Sequence, residues 1–243
     1  VQPQTLNIPG PQNYESDPFN PTVARDAWLL ISNAESANNI PAGLLHAISL
    51  VESGQGIRGW VLPWPFTVGV NSPGSHTFTT AASAQAAFTR WRTLGFVRFN
   101  VRTASGGLKN NLTATQTAQI LQTLPTAALT VIEPRSYGRR FNNVTEAESF
   151  AHRMMSQGHN NLDIGMMQVN WRVHGKHFRN VRAALEPTAN LAYATNYLLT
   201  HKQKYDWWGA VGRYHSGTAR YANKYIKNVY AMYLRIHRAN RNA

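Results

Sequence analysis

Apolar residues recur with a helical period along most of this chain. In the stretch PAGLLHAISLVESG (41–54), Leu44, Ile48 and Val51 fall at i, i+4 and i+7, a buried stripe on one helix face. Pro41 suits the first turn of that helix and Gly54 its end. The same spacing predicts a helix over 22–37, with Thr22 placed to cap it. Another is expected over 80–94, with Ala81, Ala84, Phe88 and Trp91 on one side. Further helices are expected over 113–124, 144–157, 188–204, 206–216 and 218–238.

The pattern breaks in three places. Residues 1–21 hold prolines at 3, 9, 11, 18 and 21 and show no helical period, so they read as an extended arm. Residues 59–75 (RGWVLPWPFTVGVNSPGS) are aromatic and punctuated by Pro and Gly, which predicts a loop with a short extended piece. Residues 95–140 are less regular outside the 113–124 helix. Strand alternation is scarce throughout, so the expected fold is mainly α.

Composition narrows the function classes. At 243 residues, with 43% hydrophobic and 11% aromatic residues, the chain is globular in type and long enough for one sizeable core or for a domain with a large insertion. No apolar run approaches the ~18 residues of a membrane span. The absence of cysteine excludes disulfides and thiolate metal sites. The first residue is Val1, in a polar, proline-containing stretch, as expected after removal of a signal peptide.

The net charge of +13 is one-sided. From residue 171 onward thirteen Lys and Arg face two acids, Glu186 and Asp206, a balance of +11. Such a field favours a polyanionic partner: nucleic acid, an anionic membrane surface or an anionic cell-wall polymer. A basic surface serving only solubility fits the same numbers.

Acids are few, so each can be weighed. Glu15 and Asp17 lie in the arm, Asp26, Glu146 and Glu148 in early helical turns, and Asp206 at an N-cap position. Glu35 has the polar neighbours Asn33, Ser36 and Asn38, which predicts exposure. Glu52 borders the Leu44–Ile48 stripe in the last turn of its helix. Partial burial and the negative helix end both push a carboxyl pKa upward, as a general acid requires. An exposed terminal glutamate is the plainer alternative.

Four motifs in order sharpen the picture: AISLVESG (47–54), DIGMMQVN (163–170), EPTANLAYATNYL (186–198) and AVGRYHSG (210–217). Their succession resembles the soluble lytic transglycosylases of the lysozyme superfamily, over roughly residues 23–71 and 140–235. WPFT (64–67) and the FRN after His174 and His177 resemble a subgroup found with secretion and conjugation machineries. The resemblance implies a lysozyme-like helical domain over 22–243, with a large insertion at about 72–139 between the catalytic helix and the GMMQ segment. It implies Glu52 as catalytic acid/base and Ser53 as its polar neighbour in the cleft. Gly165, Met166, Met167 and Gln168 would form the substrate groove, Tyr214 would reach toward the glutamate, and Asn190 and His215 would line the site. His215 stands where many members have asparagine, and the 116 residues from Glu52 to Gln168 exceed the usual connection.

The activity so implied is cleavage of the bond between N-acetylmuramic acid and N-acetylglucosamine with formation of 1,6-anhydromuramic ends, needing neither cofactor nor metal. Asp163 is the one acid of the motif segments that could serve as a second carboxylate, and it is read instead as capping the GMMQ turn. The partners implied are peptidoglycan strands in the periplasm or otherwise outside the cytoplasm, with secretion or conjugation proteins docking on the insertion. The alternatives are a lysozyme-type muramidase and a non-catalytic basic component of such an apparatus, either structural or binding nucleic acid. No nucleic-acid motif accompanies the charge, and Tyr221, Tyr225, Tyr230 and Tyr233 have near-helical spacing that suits a core. His174 and His177 lack a third ligand for a metal. The loop of Trp60, Trp64 and Phe66 suits either sugar stacking or core packing.

Overall fold

The computed structural model describes residues 20–57 and 60–241. The extended arm expected over 1–21 therefore lies outside the described residues, apart from its last two positions. Those two start the first helix, α1 (Pro21–Ala37): Asn20 Oδ1 accepts from Thr22 N at 3.0 Å, so Asn20 is the cap rather than Thr22. A turn at Pro41 leads to α2 (Leu44–Ser53), followed by the antiparallel pair β1 (Gln55–Ile57) and β2 (Trp60–Leu62). Next come β3 (Thr67–Val70), β4 (His76–Thr80), α3 (Ala81–Thr93), β5 (Arg98–Thr103), β6 (Gly107–Thr113), α4 (Ala114–Gln122), β7 (Ala127–Pro134) and β8 (Tyr137–Arg140). The remainder is α5 (Val144–Ser156), β9 (Leu162–Ile164), β10 (Val169–Asn170), α6 (Trp171–His174), α7 (Val181–Leu185), α8 (Pro187–Lys202), α9 (Trp207–His215) and α10 (Ala219–Arg241). With ten α-helices among the described residues, the fold is mainly α.

The chain divides into two compact units. The first comprises Val1–Val68, Arg140–Ala151 and Ile164–Ala243. Its core joins Trp28 and Ile31 of α1, Leu44, Leu45 and Ile48 of α2, Trp64, Met166, Met167, Leu191 of α8, Val211 of α9 and Val229 of α10. Burial of such side chains, at ~25 cal/mol per Å² of apolar surface, is the main force assembling these helices.

Glu35 sits inside this unit, contrary to the exposure expected of it, at 3%. Its carboxylate accepts from Gly43 N (2.8 Å) and His46 N (3.2 Å), so it caps α2 from the neighbouring helix. His46 Nδ1 lies 3.1 Å from Glu35 Oε2, and its Nε2 faces the Trp28 carbonyl at 3.1 Å. Local polarity failed as a guide because the partners are contributed by a different helix.

The second unit comprises Gly69–Arg139 and His152–Asp163. Here little strand was expected, and a four-stranded antiparallel sheet of order β4-β7-β5-β6 is found. β7 alternates, burying Ala128, Thr130, Ile132 and Pro134. Ile132 stands opposite both His76 and Val101. β6 (GLKNNLT) is an edge strand with almost every residue exposed, so its sequence carries no apolar period to read. Thr113 and Gln116 form a reciprocal capping box at the start of α4. Phe96 and Phe99 are fully buried in this unit.

Candidate active site

Glu52 is half-buried in the last turn of α2. The Tyr225 hydroxyl, from α10, donates to Glu52 Oε1 at 2.6 Å. Tyr225 belongs to the buried stripe of α10 with Val229 and Ile236. Burial, followed by the adjacent Glu52 carboxylate, pushes the phenol pKa well above its usual value. The hydroxyl therefore remains a proton donor to Glu52 at any physiological pH. His215 lies flat on Tyr225, with ring centroids 4.3 Å apart and planes 4° from parallel. Burial lowers the His215 pKa, so a neutral imidazole covers the phenol at neutral pH.

The carbonyl end of α2 is also occupied. Arg140 donates from Nε to Ser53 O (3.3 Å) and from Nη2 to Gly54 O (2.6 Å). A guanidinium there offsets the negative helix end that sequence reasoning had acting on Glu52 alone. Arg140 was not among the expected site residues; as one of many basic positions it carries no distinguishing sequence signal. Gly54 is required at the same point, since a Cβ on it would stand 2.3 Å from Leu50 O.

Several expected site residues turn out to build the site rather than line it. Ser53 is fully buried; its hydroxyl donates to Ser49 O (3.1 Å) and accepts from Trp64 N (3.3 Å). Met166 and Met167 are both 0% exposed and pack in the core, so a groove here is offered by backbone rather than by their side chains. Asn190 is buried as well. It accepts from Met167 N (2.9 Å) and donates to Ile164 O and Ala184 O (both 2.9 Å), fixing the Gly165–Gln168 turn. Gly165 has φ 81°, and a Cβ on it would fall 2.4 Å from Asn190 Nδ2, so glycine alone fits. Gln168, at φ 47°, donates to Gly165 O at 2.8 Å.

Tyr214 was expected to reach the glutamate. Its hydroxyl donates to Met167 O at 2.7 Å, and the phenol bonding Glu52 is Tyr225, eleven residues further on. Tyr214 is thus joined to the turn and Tyr225 to α2, and position along the sequence does not say which one meets the glutamate. Of the four α10 tyrosines expected in the core, Tyr225 is buried and Tyr233 half-buried, whereas Tyr221 and Tyr230 are 56% and 47% exposed. Asp163 was read as a cap on the GMMQ turn; it accepts from Asn71 Nδ2 at 2.8 Å, and the turn is held by Asn190. Trp64 is fully buried, its indole donating to Phe141 O at 2.8 Å, so it packs in the core rather than offering a sugar platform. The Trp60 side chain lies outside the described residues.

His174 and His177 enter an aromatic wall along α8. His174 Nδ1 is 2.8 Å from the Tyr193 hydroxyl, Tyr193 and Tyr197 are stacked at 6.4 Å, and Tyr197 meets Tyr214 at 5.8 Å. Burial and the charges of His177 and Lys176 lower the His174 pKa. Among the described residues, no group of three or more His, Asp or Glu side chains is arranged to hold a metal ion.

The other carboxylates of this unit among the described residues are engaged elsewhere or exposed. Glu35 caps α2, Glu146 accepts from Asn143 Nδ2, Glu148 pairs with Arg182 at 2.8 Å, and Asp206 caps α9. Asp26 and Glu186 are exposed. What the arrangement offers chemically is one carboxyl group, oriented by a phenol, at the end of a helix.

Neither the curated proteins nor the solved structures give a match to this chain. A family model described as Transglycosylase SLT domain matches residues 139–234, which hold the Gly165–Gln168 turn, Asn190, Tyr214, His215 and Tyr225 but not Glu52. That match, over less than half of the chain, supports the lysozyme-like SLT transglycosylase family for this protein.

Proposed function

We propose that the protein is a peptidoglycan lytic transglycosylase working with Glu52 as its single catalytic carboxyl. The observation carrying this reading is the 2.6 Å hydrogen bond from Tyr225 to Glu52, in a unit whose other carboxylates among the described residues are committed to caps and ion pairs or exposed. Glycoside hydrolysis ordinarily uses two carboxyl groups, ~5–5.5 Å apart for retention or ~6.5–9.5 Å for inversion, because a nucleophile or an activated water is needed. An internal nucleophile removes that need.

In this mechanism protonated Glu52 donates to the oxygen joining N-acetylmuramic acid to N-acetylglucosamine, and the bond from that oxygen to the muramyl C1 breaks. The resulting carboxylate is stabilised by the Tyr225 hydroxyl and takes the proton from the muramyl 6-hydroxyl. The 6-oxygen bonds to C1, closing a 1,6-anhydro ring and returning Glu52 to its protonated form. No water is consumed. The basic surface favours retention on anionic wall polymers, and substrate of this kind implies action outside the cytoplasm; no helix among the described residues is long and apolar enough to cross a membrane. The WPFT and FRN segments support a place beside a secretion or conjugation apparatus, with the second unit as the part inserted into the lysozyme-like domain.

The test is mass spectrometry of products released from purified sacculi. Anhydromuramyl ends are expected, and Glu52→Gln should reduce release by ~10²–10⁴-fold with an unchanged melting temperature. Reducing ends would make the protein a muramidase. Retained activity in Glu52→Gln would remove Glu52 from catalysis.

A further inference from the structure

The second unit has a cavity of its own, of about 510 Å³, within the range of small-ligand sites. Its walls come from α3, β4 and the residues that follow α5. Trp91 forms an aromatic floor with His76 (ring centroids 5.4 Å apart) and Phe78 (6.0 Å). Arg90, the residue before it, brings a guanidinium to the rim, within 3.8 Å of where a Cβ on Gly158 would lie. That guanidinium has no acid partner among the described residues, and no acid lines the cavity.

At the cavity wall His159 is 8% exposed, and its Nε2 has no hydrogen-bond partner among the described residues. Burial lowers its pKa against the opposing backbone bonds of Asn71 and Asn161, which leaves Arg90 as the permanent charge of the cavity. The whole unit is basic: eight Lys and Arg face two acids. Both acids are engaged, Glu133 with Asn100 (3.0 Å) and Asp163 with Asn71 (2.8 Å). An uncompensated planar guanidinium beside an indole suits a ligand that joins a carboxylate to an apolar face. Sugar rings present such C–H faces, and the repeating unit of a peptidic glycan carries carboxylates next to them.

We propose that this cavity is a second binding site, separate from the Glu52 site, which takes a carboxylate-bearing peptidoglycan fragment with its carboxylate on Arg90 and its apolar face on Trp91. The identity of the ligand rests on the peptidoglycan reading of Glu52; the existence of the site does not. Its role is to hold wall polymer independently of cleavage.

The experiment is a titration of nitrogen-15-labelled full chain carrying Glu52→Gln, so that nothing is turned over, with a soluble disaccharide-peptide. The Gly158 amide and Trp91 indole report the cavity, and the Gly165 amide reports the first unit. Saturable shifts are expected at Gly158 and Trp91. Arg90→Gln, which removes the charge, and Ala86→Phe, which fills the space, should each weaken that binding by at least about tenfold and leave the Gly165 response unchanged. Amidating the ligand's carboxylates should weaken it as Arg90→Gln does. Unchanged affinity in both variants, or no shift at Gly158 and Trp91 while Gly165 responds, overturns the proposal. Shifts at Gly158 without any at Gly165 would retain the site and count against the peptidoglycan reading of the first unit. No shift at either overturns both.

Discussion

Each unit uses long-range polar side chains, but at different places. In the first, side chains reach across the chain to backbone or to one another: Tyr225 to Glu52, Ser49 to Met166 O, Tyr214 to Met167 O, and Asn190 to three backbone groups at once. In the second, side chains such as Asn71 to Asp163, Asn100 to Glu133 and Gln85 to Leu121 O supplement the sheet ladder, and the helix caps are local, as at Thr113–Gln116 and Thr80–Ser83. The contrast teaches that in the unit carrying the candidate chemistry such joints converge on α2 and the Gly165–Gln168 turn, whereas in the second they tie the sheet and its flanks together. A joint of that type is costly to break, since truncating one partner strands the other away from water.

The strongest test of the comparison is Glu35→Ala. It removes the cap of α2 and leaves His46 buried without its carboxylate, so a loss of ~3–5 kcal/mol is expected in denaturant titration. A loss below ~1 kcal/mol would put Glu35 in the same class as a local cap. Next comes Tyr225→Phe, which keeps the ring and removes the hydrogen bond to a charged group. It should lower kcat by ~10–100-fold with KM nearly unchanged, as expected for a bond worth ~1.5–3 kcal/mol. Equal change in both parameters would make the phenol a binding group instead of an orienting one.

In the second unit Thr113→Ala should cost only ~1 kcal/mol, seen as faster amide exchange confined to α4. Global destabilisation of several kcal/mol would abolish the distinction between the units. The smallest effect is shared by both. His159, His174, His201 and His215 all have pKa values lowered, principally by burial. Each takes up a proton more readily unfolded than folded, so the stability they contribute is complete above the unfolded value of ~6.5 and declines as pH falls below it. The melting temperature should therefore drop between pH 7.5 and pH 5.5, and less so in His159→Gln. A rise over that interval would contradict the burial of these rings.

Legibility in the sequence followed the same division. The helices of the first unit were readable because a 3.6-residue period survives whenever one face packs on a core: α1, α2, α8, α9 and α10 all lie close to their expected spans. β6 was missed because GLKNNLT buries none of its residues; β5 does alternate, burying Phe99 and Val101 of RFNVRT, but two apolar positions in one short strand were too few to stand out. Within the site, Glu52 was legible from the edge of its stripe. The buried states of Glu35, Ser53 and Asn190 were not, because each depends on a backbone group contributed by another element. Motif order marked segments that the structure brings together, with Asn190 and Tyr214 at the Gly165–Gln168 turn, and not which side chains within them face inward.

The bond between Tyr225 and Glu52 spans 173 positions of sequence. During synthesis the phenol is made 173 residues after the glutamate, so a chain cut between the two has the acid without the group that orients it. On the proposed reading, the catalytic carboxyl is thereby kept from its oriented geometry until the chain has been made through Tyr225.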